Sequence, residues 1–188
     1  MASIQTTRTI ASFSLAAVMA AASFASMAAD VMVGGAPMMA SKDIIDNAVN
    51  SKDHTTLVAA VKAAGLVDTL KSAGPFTVFA PTNAAFAALP AGTVDTLLKP
   101  ENKGTLTTVL TYHVVAGKFD AAAISKMIMD GKGMATIKTV SGGTLTAKAS
   151  GGKVMVTDEK GGTANVTIAD VYQSNGVIHV VDKVLLPK

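Results

Sequence analysis

The sequence predicts one α+β domain, with helices in its first part and an antiparallel sheet in its second. Between residues 41 and 130, apolar side chains recur at the spacing of amphipathic helices. After Gly133 the chain alternates or runs in β-branched residues, and paired glycines or Asn175-Gly176 separate these runs. Helices and strands that are segregated along a chain are typical of α+β domains. With 188 residues, 49% of them hydrophobic, the chain is long and apolar enough to form one packed domain.

The first 29 residues are predicted to be a secretory signal peptide. A polar start with Arg8 is followed by an apolar stretch over residues 10–25 and by small residues before Asp30. We expect cleavage after Ala28 or Ala29 and export to the periplasm or the extracellular space of a bacterium. The alternative is a retained membrane anchor, for which the stretch is short and rich in alanine. The chain has no cysteine for a lipoprotein anchor, so no integral membrane anchor is expected after cleavage.

Residues 30–41 are predicted to be a flexible lead-in, because two adjacent glycines, a proline and three methionines disfavour regular structure there. The predicted domain then covers residues 42–188. Its candidate N-cap residues are Ser41, Asp53, Thr93 and Asp120. The predicted helices lie at residues 41–49, 53–64, 66–72, 84–89, 93–99, 102–112 and 120–129.

A first strand is predicted at residues 76–80, where aromatic and β-branched residues follow a break at Gly74-Pro75. A short extended segment begins at Val114-Val115. The later strands are predicted to form an antiparallel meander, because Asn-Gly and paired glycines favour tight hairpin turns. These strands cover residues 134–140, 144–149, 153–157, 164–171 and 177–186.

Composition and motifs argue against several classes of protein. The formal net charge is only +3 and the lysines are scattered, whereas nucleic-acid binding needs clustered cations. The absence of cysteine excludes disulfides, thiolate catalysis and Cys-ligated zinc. The sequence contains no nucleophile elbow, P-loop or dinucleotide-binding fingerprint. We therefore expect neither enzymatic activity nor a cofactor.

A metal site has weak support in the sequence. His54, His113 and His179 are far apart along the chain, and they would form a site only if the fold brought them together. Methionines of the mature chain either fill gaps in the core and belong to a mobile tail, or bind Cu(I) through their thioethers. They are Met32, Met38 and Met39 in the lead-in and Met127, Met129 and Met134 in and beside the last helix. A periplasmic small-ligand or metal-binding protein is therefore the alternative function, with no metal ligand assigned.

Three segments go beyond generic patterning. They are GPFTVFAPTNAAF at residues 74–86, TYHVV at residues 111–115 and NGVIHVVDKVLLP at residues 175–187. The first and third resemble the two signature blocks of fasciclin-like domains, and the second resembles the tyrosine-histidine motif of that family. Their order and spacing also resemble the family pattern, over about residues 42–188.

The resemblance implies a fasciclin-like fold, in which helices pack on a twisted antiparallel β-wedge. It also implies adhesion by non-covalent binding to an extracellular protein or a cell-surface component. Tyr112 and His113 of the tyrosine-histidine motif are candidate binding residues. Asp170 is a third, because Asp170-Val171 matches the Asp-Ile pair of another adhesion motif, although the residues around it depart from that motif.

The residues themselves favour structural roles for much of these blocks. His113 falls on the apolar stripe of its helix, so its ring is expected to be buried and bonded to a backbone carbonyl or a hydroxyl, with direct partner contact as the alternative. Asp182 is expected to bond backbone amides, and His179 to be a hydrogen-bonded structural residue. The residues predicted to have structural roles are Phe76, Phe79, Pro81, Asn83, Phe86, Gly176, His179 and Asp182.

Overall fold

The computed structural model describes residues 30–188, and the predicted signal peptide lies outside these residues. Within them, helices and strands pack into one domain, which confirms the predicted α+β class. Every helix in this range is too short or too polar to cross a bilayer.

The helices form where their periodicity predicted them. Asp120 caps the last one as predicted, because its carboxylate accepts a hydrogen bond from the Ala123 amide at 2.8 Å. The helices are α1 (Ile44–Ala48), α2 (Thr55–Ala64), α3 (Val67–Lys71), α4 (Asn83–Ala87), α5 (Thr93–Leu98), α6 (Lys103–Tyr112) and α7 (Ala121–Asp130).

Three predicted caps are wrong. Asp43, rather than Ser41, caps α1, because it directly precedes the first helical residue and its side chain accepts a hydrogen bond from the Asp46 amide at 2.8 Å. Asp53 lies inside a 3₁₀ turn, Lys52–His54, that leads into α2. Thr93 is the first residue of α5 rather than its cap.

The main sheet has seven strands in the order β4-β3-β9-β8-β7-β6-β5. The five later strands form the predicted antiparallel meander. The two ends of the sheet approach one another, where the Val140 amide bonds the Val114 carbonyl at 2.8 Å, so the sheet curls into a wedge. Its strands are β3 (Phe76–Pro81), β4 (Val114–Ala116), β5 (Ala135–Lys138), β6 (Thr144–Ser150), β7 (Lys153–Thr157), β8 (Thr163–Gln173) and β9 (Gly176–Val181).

One pair of strands in this sheet is parallel, which the sequence did not predict. Strand β3 pairs with β9 over six residues, from Phe76 opposite Gly176 to Pro81 opposite Val181. A Cβ atom on Gly176 would lie 2.0 Å from the Phe76 carbonyl oxygen. Only glycine allows so close an approach. The first and third sequence blocks are therefore neighbours at the centre of the sheet.

The predicted flexible lead-in is an ordered hairpin, which corrects the sequence interpretation. It consists of β1 (Val31–Val33) and β2 (Ala36–Met38), which pair only with each other. Val33 and Met38 are 3% and 4% exposed, and both belong to the core. Burial of these side chains provides the stabilisation that local sequence preference lacks.

Two hydrophobic clusters lie on opposite faces of the sheet. The first, which we call the helical core, fills the space between the sheet, the hairpin and helices α1, α2 and α6. The second, the wedge core, lies inside the curled sheet and is covered by Ile124 and Ile128 of α7. Strand β9 is buried on both faces, with Ile178 toward the first and Val181 toward the second.

Candidate functional site

Tyr112 lies at the end of α6, wholly buried in the wedge core. Its hydroxyl donates to the Thr144 carbonyl at 2.7 Å and accepts from the Glu159 amide at 3.0 Å. The ring packs so closely on Gly143 that a Cβ there would lie 2.6 Å from it. Burial raises the pKa of the Tyr112 phenol, so the group stays protonated and able to donate.

His113, the next residue, faces the opposite cluster. Its Nδ1 donates to the Val109 carbonyl at 2.8 Å, and its Nε2 accepts from the Leu185 amide at 2.9 Å. These two partners define the neutral tautomer with the proton on Nδ1. Burial lowers the pKa of His113 to about 4, so the ring is neutral at physiological pH.

Neither side chain is available to a partner protein. Tyr112 is 0% exposed and His113 is 2% exposed, and every polar side-chain atom of both is bonded within the domain. Their burial and internal hydrogen bonds favour a structural role over the binding role that the family motif implied. The contacts support the alternative derived from the apolar stripe of α6.

His179 and Phe79 hold the two sequence blocks together. Their rings are stacked with centroids 5.6 Å apart, and both residues are buried. Nε2 of His179 bonds the Phe119 carbonyl at 2.7 Å, and Nδ1 accepts from the Asp170 amide at 3.4 Å. Burial lowers the pKa of His179 and keeps it neutral.

Asn83 has a role that the sequence did not indicate. Its Oδ1 accepts from the Thr56 amide at 3.0 Å and from the Thr55 hydroxyl at 3.2 Å, and its Nδ2 donates to the Lys52 carbonyl at 2.8 Å. Asn83 therefore caps helix α2 from a distant segment, in place of a local cap.

The other predicted structural residues lie within or beside the cores. Phe76 and Phe86 contribute to the helical core, and Pro81 ends β3. Asp182 follows β9 and receives the Asn165 backbone and side-chain N–H groups at 2.8 and 2.7 Å. Its carboxylate thus joins the end of β9 to β8.

Asn175 lies in the tight turn before β9, and its side chain bonds the start of α1 and the end of α3. Its Oδ1 accepts from the Ile44 amide at 3.1 Å. Its Nδ2 donates to the Leu70 and Ser72 carbonyls at 2.7 and 3.1 Å. The Asn-Gly signal predicted the turn, but no local signal identifies contacts more than 100 residues away.

Asp170 occupies an unusual backbone position. Its φ is +58°, and it lies where the pairing of β8 with β9 is irregular. The strand bulges at this point, and bulges of this kind re-aim side chains. Oδ1 of Asp170 accepts from the Ala121 amide at 2.7 Å, at the start of α7.

A surface patch surrounds Asp170. The Tyr172 side chain is 40% exposed, and the Lys118 ammonium lies 4.8 Å from the centre of its ring. The Tyr172 hydroxyl donates to Asp120 Oδ2 at 3.4 Å. We call these four residues the Asp170 patch. The sequence identified Asp170 only, because Lys118 and Asp120 are about 50 residues away along the chain.

The three histidines do not form a metal site. His54 and His113 line the helical core, whereas His179 faces the wedge core against Phe79. Within residues 30–188, no three His, Asp or Glu side chains lie close enough together to hold a metal ion. The sequence left these three histidines open as zinc ligands, and the sheet separates His179 from the other two.

These contacts define a fold built around the sequence blocks, and a family model for the fasciclin domain matches residues 52–187. The chain belongs to the fasciclin domain family.

Relatives of this chain include bacterial proteins. It is 52% identical to protein sll1483 of Synechocystis, over 77% of this chain and 73% of that protein. It is 39% identical to the immunogenic protein MPB70 of Mycobacterium bovis, over 74% and 66% of the two chains. It is 36% identical to the cell surface glycolipoprotein MPB83 of the same species, over 82% and 64%.

A solved structure shares the fold. The FAS1 domain pair of the insect cell adhesion molecule fasciclin I matches with a TM-score of 0.54 and 22% sequence identity. The match covers 69% of this chain and 43% of that chain. The structural likeness supports the predicted fasciclin-like architecture.

Proposed function

We propose that this protein is an exported binding module that attaches to an extracellular protein or a cell-surface component through the Asp170 patch. The observation that carries the proposal is an exposed aromatic ring, Tyr172, held between a cation and a carboxylate beside a residue with positive φ. Binding is non-covalent and uses the folded domain without rearrangement.

The chemistry of the Asp170 patch suits protein recognition. Tyrosine contributes a large apolar surface and a polar tip, and it is enriched among residues that dominate binding energy. Lys118 restrains the Tyr172 ring, so less conformational entropy is lost on binding. The positive φ of Asp170 is tolerated by aspartate better than by most residues, and unusual backbone conformations cluster at functional sites.

The relatives support a role at the cell surface. One of them is described as a cell surface glycolipoprotein, and the fold is shared with an insect cell adhesion molecule. The predicted signal peptide points in the same direction. We infer export on these grounds, to the periplasm or beyond.

We also infer that the protein acts without catalysis or a bound metal. All three histidines are buried, and burial lowers the pKa of each. His113 and His179 use their ring nitrogens in hydrogen bonds to the domain. These groups therefore serve the fold rather than a reaction.

A binding assay tests the proposed surface. Labelled protein is titrated onto intact producing cells and onto immobilised extracellular-matrix proteins. Tyr172→Ala is expected to weaken saturable binding by about tenfold or more, because it removes the exposed ring. Asp170→Asn removes the charge but keeps an acceptor and tolerates positive φ, so it separates charge from backbone effects.

Val49→Ala is the matched control, because Val49 is also exposed, at 50%, and lies at the C-cap of α1, outside the Asp170 patch. It is expected to bind like the parent protein. The proposal fails if the parent protein binds none of these surfaces, or if Tyr172→Ala binds as tightly as the control while melting at the same temperature.

A further inference from the structure

A small cavity lies in the helical core, between the β1–β2 hairpin, helices α1, α2 and α6 and one face of the sheet. It measures about 40 Å³, and its lining is apolar apart from Ser51, His54 and His113. A single buried water needs roughly 10–15 Å³, so the cavity suits a guest of about three to four non-hydrogen atoms.

One polar atom of this lining has unused bonding capacity. His54 is 3% exposed, and its Nδ1 is bonded to the Ser51 hydroxyl at 2.9 Å. Its Nε2 is buried and forms no hydrogen bond of normal length and angle with any residue in the described part of the chain. The Ala80 backbone carbonyl lies close enough to the ring to oppose the lowering of the His54 pKa by burial. Most buried polar side-chain atoms in proteins are bonded, so an atom of this kind calls for an explanation.

A water molecule suits this site poorly. Buried waters usually make two to four hydrogen bonds. The other polar side chains of the lining are already engaged, Ser51 with His54, and His113 with Val109 and Leu185. A guest with one polar group and an apolar remainder matches the lining better.

The hydrogen-bonding capacity of His54 Nε2 determines which polar group a guest must carry. If the Ser51 hydroxyl donates to Nδ1, then Nε2 carries the proton and is a donor. If Nδ1 donates to Ser51, then Nε2 is an acceptor. A hydroxyl group both donates and accepts, so it pairs with either tautomer. A charged group is disfavoured, because the apolar lining offers no compensation for its desolvation.

The β1–β2 hairpin closes one side of the cavity. The hairpin contributes Val33 and Met38 to its lining and pairs with no other strand. An isolated two-stranded hairpin is only marginally stable by itself. The Met38 side chain is unbranched and adapts to small changes of volume. The hairpin is therefore the element that can move to admit a guest.

We propose that this cavity binds a small, uncharged apolar alcohol, with its hydroxyl on His54 Nε2 and its hydrocarbon part among the apolar side chains. The site is separate from the Asp170 patch, which lies at the surface around the β8 bulge. Its occupation stabilises the domain, since a guest that binds only the folded state shifts the unfolding equilibrium.

Nuclear magnetic resonance of the full chain tests the proposal with two probes. Xenon reports apolar cavity space alone, and 1-propanol reports the cavity together with the hydrogen bond to His54. Both are expected to shift the methyl resonances of Val33 and Met38 saturably, and 1-propanol is expected also to shift the His54 ring resonances.

Two variants separate the contribution of the His54 hydrogen bond from that of the cavity volume. His54→Phe keeps a ring but removes Nε2, so 1-propanol affinity is expected to fall about tenfold while xenon still binds. Val61→Ile adds one methyl group to the lining and is expected to abolish the response to both probes. Val49→Ala, outside the cavity, is expected to change neither response.

Four results would overturn the proposal. Three of them are the absence of saturable shifts with both probes, 1-propanol binding that is unchanged in His54→Phe, and responses that persist in Val61→Ile. If xenon binds but 1-propanol does not, the cavity is only a packing defect and the proposed alcohol site is rejected.

Discussion

Buried polar side chains in this domain are bonded mainly to the backbone of distant segments. Tyr112 bonds the turn regions at Thr144 and Glu159, and His113 bonds the C-terminal segment at Leu185. Removing one partner of a buried hydrogen bond costs more than the bond contributes, since the other group is left without water or partner. Tyr112 and His113, which are neighbours in one motif, thus stabilise the wedge core and the helical core respectively.

Tyr112→Phe is expected to lower the free energy of unfolding by about 1–3 kcal/mol. The substitution leaves the Thr144 carbonyl and the Glu159 amide without the hydroxyl, while the ring remains packed against Gly143. Urea denaturation measures the change. Tyr172→Phe is the matched control, because its hydroxyl is at the surface, and it is expected to change stability by less than about 0.5 kcal/mol. Equal losses in the two variants would contradict this role for Tyr112.

Among the elements, the β1–β2 hairpin depends most on tertiary contacts. Its turn is anchored where the Lys52 amide bonds the Gly34 carbonyl at 3.3 Å, and its end where Asn47 exchanges hydrogen bonds with Met39 at 3.0 and 2.8 Å. Asn47 also donates to Gln173 of β8. These contacts attach the hairpin to α1 and to the sheet.

Two adjacent glycines in the hairpin turn provide a test of this attachment. Both have positive φ, +58° at Gly34 and +77° at Gly35. A Cβ on Gly34 would lie 2.4 Å from Ser51 Oγ and 2.7 Å from the Asp53 nitrogen, whereas one on Gly35 meets nothing within 4 Å. Only Gly34 is therefore crowded by the domain.

Both Gly34→Ala and Gly35→Ala are expected to cost about 1–2 kcal/mol for the left-handed backbone. Gly34→Ala is expected to cost about 1–3 kcal/mol more, because the 3₁₀ turn must shift to make room. Chemical denaturation of the two variants measures the difference. If both variants lose the same stability, the hairpin is not packed tightly on that turn.

Local sequence signals predicted the helices, the meander and the Asp120 cap, because each depends on residues a few positions apart. They failed where the stabilising contact is distant. The hairpin at residues 31–38 has a glycine pair and a proline, and only burial of Val33 and Met38 makes it regular. The helix cap from Asn83 likewise joins two segments about 27 residues apart.

The candidate site was predictable to a smaller extent. Asp170 was identified through its motif, but Lys118 and Asp120 of the Asp170 patch come from the loop before α7. The burial of Tyr112 and His113 favours a role of the tyrosine-histidine motif in the fold. A helix stripe that includes His113 indicates burial, whereas the burial of Tyr112 follows only from the curl of the sheet.

At the scale of the whole molecule, both faces of the central sheet bury neutral histidines. His54 and His113 lie in the helical core and His179 lies against the wedge core, and burial lowers the pKa of all three. The unfolded chain binds protons at these residues more readily, near the ordinary value of 6.5. Their contribution to stability is complete above that pH and is lost as the pH falls toward the folded-state values.

The free energy of unfolding is therefore expected to fall between pH 6.5 and 4. His113 alone accounts for about 3 kcal/mol across this range, because its folded-state pKa is about 4. Urea denaturation at a series of pH values measures the decline. Above about pH 5 the histidines dominate it, since the lowered pKa of Glu159 acts only below its ordinary value of 4.5.

His113→Gln separates the contribution of His113 to this pH dependence from the contributions of His54 and His179. Glutamine retains a donor and an acceptor but no titrating group, so the variant is expected to be less stable at pH 7 and to lose less stability between pH 6.5 and 5. His54→Gln and His179→Gln are the comparisons, and each is expected to leave the His113 contribution intact. A decline equally steep in His113→Gln and in the parent protein would show that His113 does not resist protonation. Because both nitrogens of His113 bond segments more than 70 residues apart, its protonation disrupts the attachment of the C-terminal segment to α6.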